Sequence, residues 1–375
     1  MQTFHRANAR GPTGAGTASD LTAVRAYSAA DATSPLKEVT IRRRQPGPKD
    51  VVLDVLYCGV CHSDVHQVRD EWNDTQPTNY PSVPGHEVVG RVVAVGEEVT
   101  KFKVGDIGGV GCIVDSCREC ENCLADREQN CTQGATLTYN SPDPESGGFT
   151  LDGYSGTMVI TEHFVIRIPA GADLAAMAPL LCAGVTTFSP MQHWRLEKGQ
   201  SVGVVGLGGL GHIAVKLAVA RGARVTVFTT SPNKVADAIR LGAAAAVLSS
   251  DEAAMASQAN QLDLLISTVP EAYAMQPFMN SLMLDGTLVN VGALTELKSL
   301  HGMSLAYGRK SLAGSMVGGI LETQQVIDYC TARGIKADVE IVTPDQINTA
   351  FDRMVNKDVR FRFVIDMKAG GPVVA

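Results

Sequence analysis

The chain has no excess of positive charge: 32 Lys and Arg stand against 39 Asp and Glu, a net charge of −7. It therefore lacks the basic surface that phosphate backbones and anionic lipids require, which argues against nucleic acid and membrane as partners. No apolar run approaches the roughly 20 residues of a membrane span. The opening "MQTFHRANARGPTGAGTASD" lacks the apolar segment of a secretory signal. Small and polar, residues 1–22 read as a flexible extension. Internal repeats and long low-complexity segments are also missing, which argues against a repeat architecture.

What is there suits a soluble, globular, cytoplasmic protein. At 375 residues, with 45% hydrophobic and 19% charged, the chain is long enough for two domains that each bury a core. Up to about residue 168, short β-branched runs such as "DVVLDVLYCG" and "EVVGRVVAVGEEV" are broken by Gly and Pro, the pattern of a strand-rich, barrel-like domain. From about residue 183, strand-like "SVGVVG", "RVTVF", "DLLISTV" and "TLVNVGA" alternate with Ala-rich helical stretches, which implies a parallel sheet. The late segments "ETQQVIDYCTARG", an amphipathic helix, and "FRFVIDM", a strand, are expected to rejoin the first part.

The strand "SVGVV" runs into "GLGGLG" and then directly into a helical stretch. Gly206, Gly208 and Gly211 have the G-x-G-x-x-G spacing, with Leu207, Gly209 and Leu210 between them. Such glycines permit a tight turn, a close approach of backbone to pyrophosphate, and close helix–strand packing, while the helix N-terminus stabilises the anion. The bland alternative is a Gly-rich turn. At the end of the next strand an acidic residue would bind the ribose 2′-hydroxyl of NAD, but here stand Thr229, Thr230 and Ser231, with Lys234 close behind. Hydroxyls and an ammonium suit a 2′-phosphate, so NADP(H) is the expected cofactor; an ordinary turn with a solvated Lys is the competing reading.

Nine cysteines is an odd number, and a cytosolic chain of this size rarely carries structural disulfides, so metal binding is the better reading. Cys117, Cys120, Cys123 and Cys131 fall within fifteen residues and can close a tetrahedral zinc shell with no open position, hence a structural site. The spacing fits neither common ferredoxin pattern. "CGVCHSDVH" (58–66) looks like half a zinc finger, while His86–Glu87 in "PGHEVVG" and Cys182 in "PLLCAGVT" are each unremarkable alone.

Taken together, "CGVCHSDVH", "PGHEVVG", the four-cysteine cluster, "PLLCAGVT", "GLGGLGHIAVKLA", "GSMVGG" and "RFRFVID" resemble the zinc-dependent medium-chain alcohol dehydrogenases. Within these the chain is most similar to the cinnamyl alcohol dehydrogenase-like branch, close to its microbial broad-range aldehyde reductases. The resemblance implies a GroES-like β-barrel catalytic domain from residues 23–181 and 320–375, a Rossmann domain over 182–319, and a substrate cleft between them. It implies a catalytic zinc on Cys61, His86 and Cys182, with Glu87 as exchangeable fourth ligand, beside the structural zinc. Hydride would pass between nicotinamide C4 and an aldehyde or primary alcohol held at the zinc. Ser63 would relay the proton and His66 would form the outer end of that path; the alternative is that both only bond the loop.

By the same resemblance Asp64 would act behind the ligands or at a domain contact. Thr186, Ser315 and Val317 would touch the cofactor, His62 would approach the pyrophosphate, Trp72 would line the substrate wall, and the chain would form a homodimer. The competing functions are a polyol dehydrogenase of the same fold, a zinc-independent quinone reductase, or a zinc- and nucleotide-binding protein without activity. The missing acidic ribose partner, the full ligand set and the full relay argue against these in turn. Cys112, in the apolar run "IGGVGCIV", is expected in a strand, as is Cys58; Cys330 is expected to pack.

Overall fold

The computed structural model describes residues 22–369 apart from 144, 293–295 and 299. Of the expected extension over 1–22, only Thr22 is among them, as the first residue of a strand. Two compact units emerge: Met1–Cys182 with Gly318–Thr331 and Lys336–Ala375, and Ala183–Val317 with Ala332–Ile335.

The first unit is built on a seven-stranded sheet. Its order is Val339–Val342, Arg362–Asp366, Asp50–Val60, Val88–Val95, Ile107–Val110 and Ile166–Arg167, with Thr157–Thr161 also pairing with Asp50–Val60. All of its pairings are antiparallel except that of the first two strands. Along Asp50–Val60, Val51, Leu53, Val55, Cys58 and Val60 are fully buried. Burying β-branched and apolar side chains on one face is what holds such a sheet closed. The late strand Arg362–Asp366 lies against Tyr57–Val60, so the chain's end completes the sheet that carries Cys61.

The second unit holds a six-stranded, wholly parallel sheet in the order Ala245–Leu248, Arg224–Thr229, Ser201–Val205, Leu262–Ser267, Leu282–Asn290, Ser311–Gly314. Numbered from Ser201–Val205, this is the 3-2-1-4-5-6 order of the dinucleotide-binding fold, and its switch point lies between Ser201–Val205 and Leu262–Ser267. The strands are near-continuous apolar runs because both faces are covered: Val202, Val204, Val227, Phe228, Leu265 and Ile266 are all fully buried. No single helix among the described residues is long and apolar enough to cross a membrane.

Two cysteines outside the expected sites have different fates. Cys330 packs, fully buried, on the helix Ile320–Arg333. Cys112 does not lie in a strand: it occupies a bend between Ile107–Val110 and Ile113–Asp115. The apolar run breaks because Gly111 crosses the backbone of Leu181, where even a Cβ would fall 2.7 Å from a carbonyl oxygen.

Candidate functional site

Four side chains from distant stretches of the first unit converge. The ligand atoms of Cys61, His86, Glu87 and Cys182 all lie within 4.8 Å of one another, and all four residues are buried. Cys61 follows the strand Asp50–Val60 and caps the short helix His62–Val68. The turn Pro84–Gly85, with Gly85 at φ +106, brings in His86 and Glu87. Cys182 follows the turn Ala178–Leu181, whose Leu181 packs on Gly109 and Gly111.

Asp64 ties the first two stretches together. Fully buried, it accepts the N–H of Cys61 at 2.8 Å and of Gly85 at 3.1 Å, meets His86 Nδ1 at 3.1 Å, and accepts the Tyr154 hydroxyl at 3.3 Å. With Nδ1 donating to a carboxylate, His86 presents Nε2 as a lone pair, 3.2 Å from Cys182 Sγ. Cys61 is held well below the ordinary thiol range, chiefly by a hydrogen bond from Cys182, whose own thiol is pushed up.

Glu87 is fully buried and pairs through Oε1 with Arg362, itself 4% exposed; its Oε2 has no hydrogen-bond partner. Burial pushes its carboxyl up to about 7 against the pull of Arg362. Gly59 makes this possible, since a Cβ there would sit 2.0 Å from Glu87 Oε2. Two thiols, one lone-pair imidazole and a carboxylate that lacks a partner on one oxygen are the donor set of an open zinc site, and these residues fit that ion.

Ser63 lies with its hydroxyl 3.7 Å from Cys61 Sγ. His66, one turn on, is bonded through Nδ1 to Glu71, and its ring lies tilted against those of His62, at 4.9 Å between centroids, and Trp72, at 5.1 Å. Cys112, in its bend, has its thiol lowered chiefly by Cys182, so it borders the ligand cluster.

The second cluster is Cys117, Cys120, Cys123 and Cys131, again within 4.8 Å. Sulfur separations of 3.8 Å (Cys117–Cys123) and 3.5 Å (Cys120–Cys123) match the edge of about 3.8 Å of a tetrahedron with Zn–S near 2.3 Å. Backbone N–H groups already point at the sulfurs: Cys120 to Cys117 at 3.3 Å, Cys117 to Cys131 at 3.4 Å, Thr132 to Cys120 at 3.5 Å. Backbone hydrogen bonds to its sulfur, from Thr132 foremost and then Cys123, lower Cys120 to about 5, whereas burial pushes Cys123 up to about 12. Four thiols and no other donor fit a closed zinc site.

In the second unit Gly206 has φ +88, and a Cβ on Gly211 would meet Gly206 O at 2.0 Å, so both need glycine. Beside Gly208 there is open space, room for a ligand to reach the backbone at the start of the helix Gly211–Ala220. Leu207 is buried, while Gly209 and Leu210 are half-buried. Thr229 ends its strand with a buried side chain that accepts the N–H of Ser231 at 3.1 Å; Thr230, next in the chain, is exposed and Lys234 is half-buried. Thr186 is buried on the helix Ala183–His193. Ser315 donates its N–H to Asn290 O at 3.1 Å, and Val317 has φ +45.

Glu71, Arg362 and Tyr154 were not foreseen from the sequence. Glu71 follows His66 by five residues and could have been noticed as a local acid. Arg362 lies within the motif "RFRFVID", to which no site role was given, and Tyr154 reaches the cluster only through the fold.

The alcohol dehydrogenase GroES-like domain family matches residues 47–170, and the zinc-binding dehydrogenase family matches residues 209–332. Aldehyde reductase YahK of Escherichia coli is 50% identical over 345 residues, 92% of this chain and 98% of that one. A solved cinnamyl alcohol dehydrogenase from Sorghum bicolor matches with a TM-score of 0.90 at 44% identity, covering 93% of this chain and 99% of that one. The CAD of Helicobacter pylori, solved in complex with NADP(H), matches with a TM-score of 0.87 at 36% identity, covering 94% and 100%. With such similarity along nearly its whole length, the chain belongs to the zinc-binding alcohol dehydrogenase family, oxidoreductases that join a GroES-like domain to a Rossmann domain.

Proposed function

We propose that the chain is a zinc- and NADP(H)-dependent alcohol dehydrogenase that acts as an aldehyde reductase, on aromatic, allylic or aliphatic aldehydes and the corresponding primary alcohols. The observation that carries this reading is the buried convergence of Cys61, His86, Glu87 and Cys182, with Asp64 fixing the imidazole. Zinc bound there by Cys61, His86 and Cys182 supplies Lewis acidity toward a carbonyl oxygen. Glu87, held from behind by Arg362, can enter or leave the fourth position. Ser63, beside Cys61, both donates and accepts, so it can pass a proton to the substrate oxygen while the buried site excludes water. His66, kept in orientation by Glu71, is the outer, exchangeable end of that path.

For the cofactor, Gly206–Gly211 and the helix behind them receive the pyrophosphate, with His62 approaching it. Thr229, Thr230, Ser231 and Lys234 receive the 2′-phosphate, and Thr186, Ser315 and Val317 line the remainder. A second, structural zinc sits on Cys117, Cys120, Cys123 and Cys131. The catalytic domain is taken as 23–181 with 320–375, and the nucleotide domain as 182–319. A homodimer is supported by the outermost strand Ser311–Gly314 and by exposed Met303, Tyr307 and Met316 near it. A cytoplasmic location is supported by nine cysteines of which no two are joined in a disulfide. Steady-state comparison of kcat/KM over aldehydes of differing length and aromaticity, with NADPH and with NADH, tests the reading; no turnover with any aldehyde while NADPH still binds would replace it with a binding role.

A further inference from the structure

The four-cysteine lobe holds a buried carboxylate that neither cluster uses. Glu128 lies in the one-turn helix Glu128–Asn130, three residues before Cys131, and is 1% exposed. Its Oε1 is 2.9 Å from His163 Nε2, and its Oε2 accepts the backbone N–H of Ile320 at 3.0 Å. Ile320 is the first residue of the 14-residue helix Ile320–Arg333. The first N–H groups of a helix have no partner within it and carry the positive end of its dipole, so a carboxylate there satisfies a donor and stabilises the helix start.

A second observation is steric. A Cβ on Gly319 would fall 1.9 Å from Asp126 O and 2.7 Å from Glu128 Oε2. The chain at 319 therefore lies directly on the lobe's backbone, with room for a hydrogen only. It arrives there from Val317, a β-branched residue at φ +45, a conformation that persists only where its surroundings over-determine it.

We infer that Glu128 is a positioning residue for cofactor binding: by anchoring Gly319 and Ile320 to the four-cysteine lobe, it fixes the segment Ser315–Val317 that precedes them. The inference rests on the functional reading above, which gives Ser315 and Val317 to NADP(H). It also gives the lobe a role beyond stability. The turn that aims Glu128 is closed by the bond from Cys131 N to Glu128 O at 3.0 Å, so the cluster and the anchor share one backbone segment.

The test compares E128A and E128Q with the wild-type holoenzyme. NADPH affinity is read by cofactor fluorescence, zinc by elemental analysis, and amide hydrogen exchange is followed over residues 318–323. E128A is expected to weaken NADPH binding about fivefold or more and raise its KM in step, with kcat changed less than about twofold. Zinc content should stay at the wild-type level and exchange over 318–323 should speed up. E128Q keeps an oxygen for Ile320 and should recover most of the affinity; if E128A does not fold, a smaller loss of affinity in E128Q with faster exchange carries the same conclusion. Unchanged affinity and exchange in the variants, or a loss explained by missing zinc, overturns the inference alone. Failure of the wild-type protein to bind NADPH overturns the functional reading instead.

Discussion

Asp64 and His86 form a buried carboxylate–imidazole pair, 3.1 Å apart at Oδ1 and Nδ1, which leaves His86 Nε2 facing Cys182. The same carboxylate holds Cys61 N and Gly85 N, so it sets the positions of two proposed ligands at once. Asp64→Asn keeps the size and removes the charge that fixes the tautomer. It is expected to lower the affinity of the catalytic zinc by about 10–100-fold. Chelator competition would show one zinc released early and the other as in the wild type; release of both together as in the wild type would contradict the pairing's role.

Asp152 is a different kind of buried acid. It is fully buried, neither side-chain oxygen has a hydrogen-bond partner, and burial holds its carboxyl well above the ordinary range despite nearby Arg43. A raised carboxyl binds its proton more tightly in the folded than in the unfolded chain. Its contribution is therefore most favourable below the unfolded value and is lost as pH rises toward the folded one. Asp152→Ala is expected to stabilise the protein at pH 7 by about 1–3 kcal/mol. The gain should shrink as the pH falls toward ~4, the range of an ordinary carboxylate. Urea unfolding at several pH values checks both sign and trend; a destabilised variant at pH 7 would show that Asp152 has a partner that matters.

Thr229 stands where a carboxylate would read a ribose 2′-hydroxyl. Its side chain accepts the N–H of Ser231, a bond an aspartate can keep. Thr229→Asp should repel a 2′-phosphate and shift the ratio of kcat/KM for NADPH over NADH downward by about tenfold or more. An unchanged ratio would mean that the 2′-phosphate lies elsewhere.

Local patterns in the sequence were enough to find the parts whose chemistry is local. The four cysteines lie within fifteen residues, and the glycines of "GLGGLG" sit between a strand and a helix, so spacing alone points to both. Cys61, His86 and Cys182 became legible only through their joint resemblance to a family. Arg362 pairs with Glu87 across 275 positions, and Tyr154 reaches Asp64 across 90, so no window of sequence contains them. Cys112 misled because an apolar run reads as strand, whereas the steric demand that breaks it comes from Leu181. Nothing in the sequence marks Gly59; it is the space that Glu87 occupies.

The central claim is that Cys61, His86 and Cys182 hold a zinc on which turnover depends. It is tested most directly by measuring zinc per chain together with NADPH-dependent aldehyde reduction in Cys182→Ser. The account expects about one zinc fewer than the wild-type protein and turnover reduced at least about a thousandfold, with the fold and NADPH binding retained. Full activity with zinc content unchanged would contradict it.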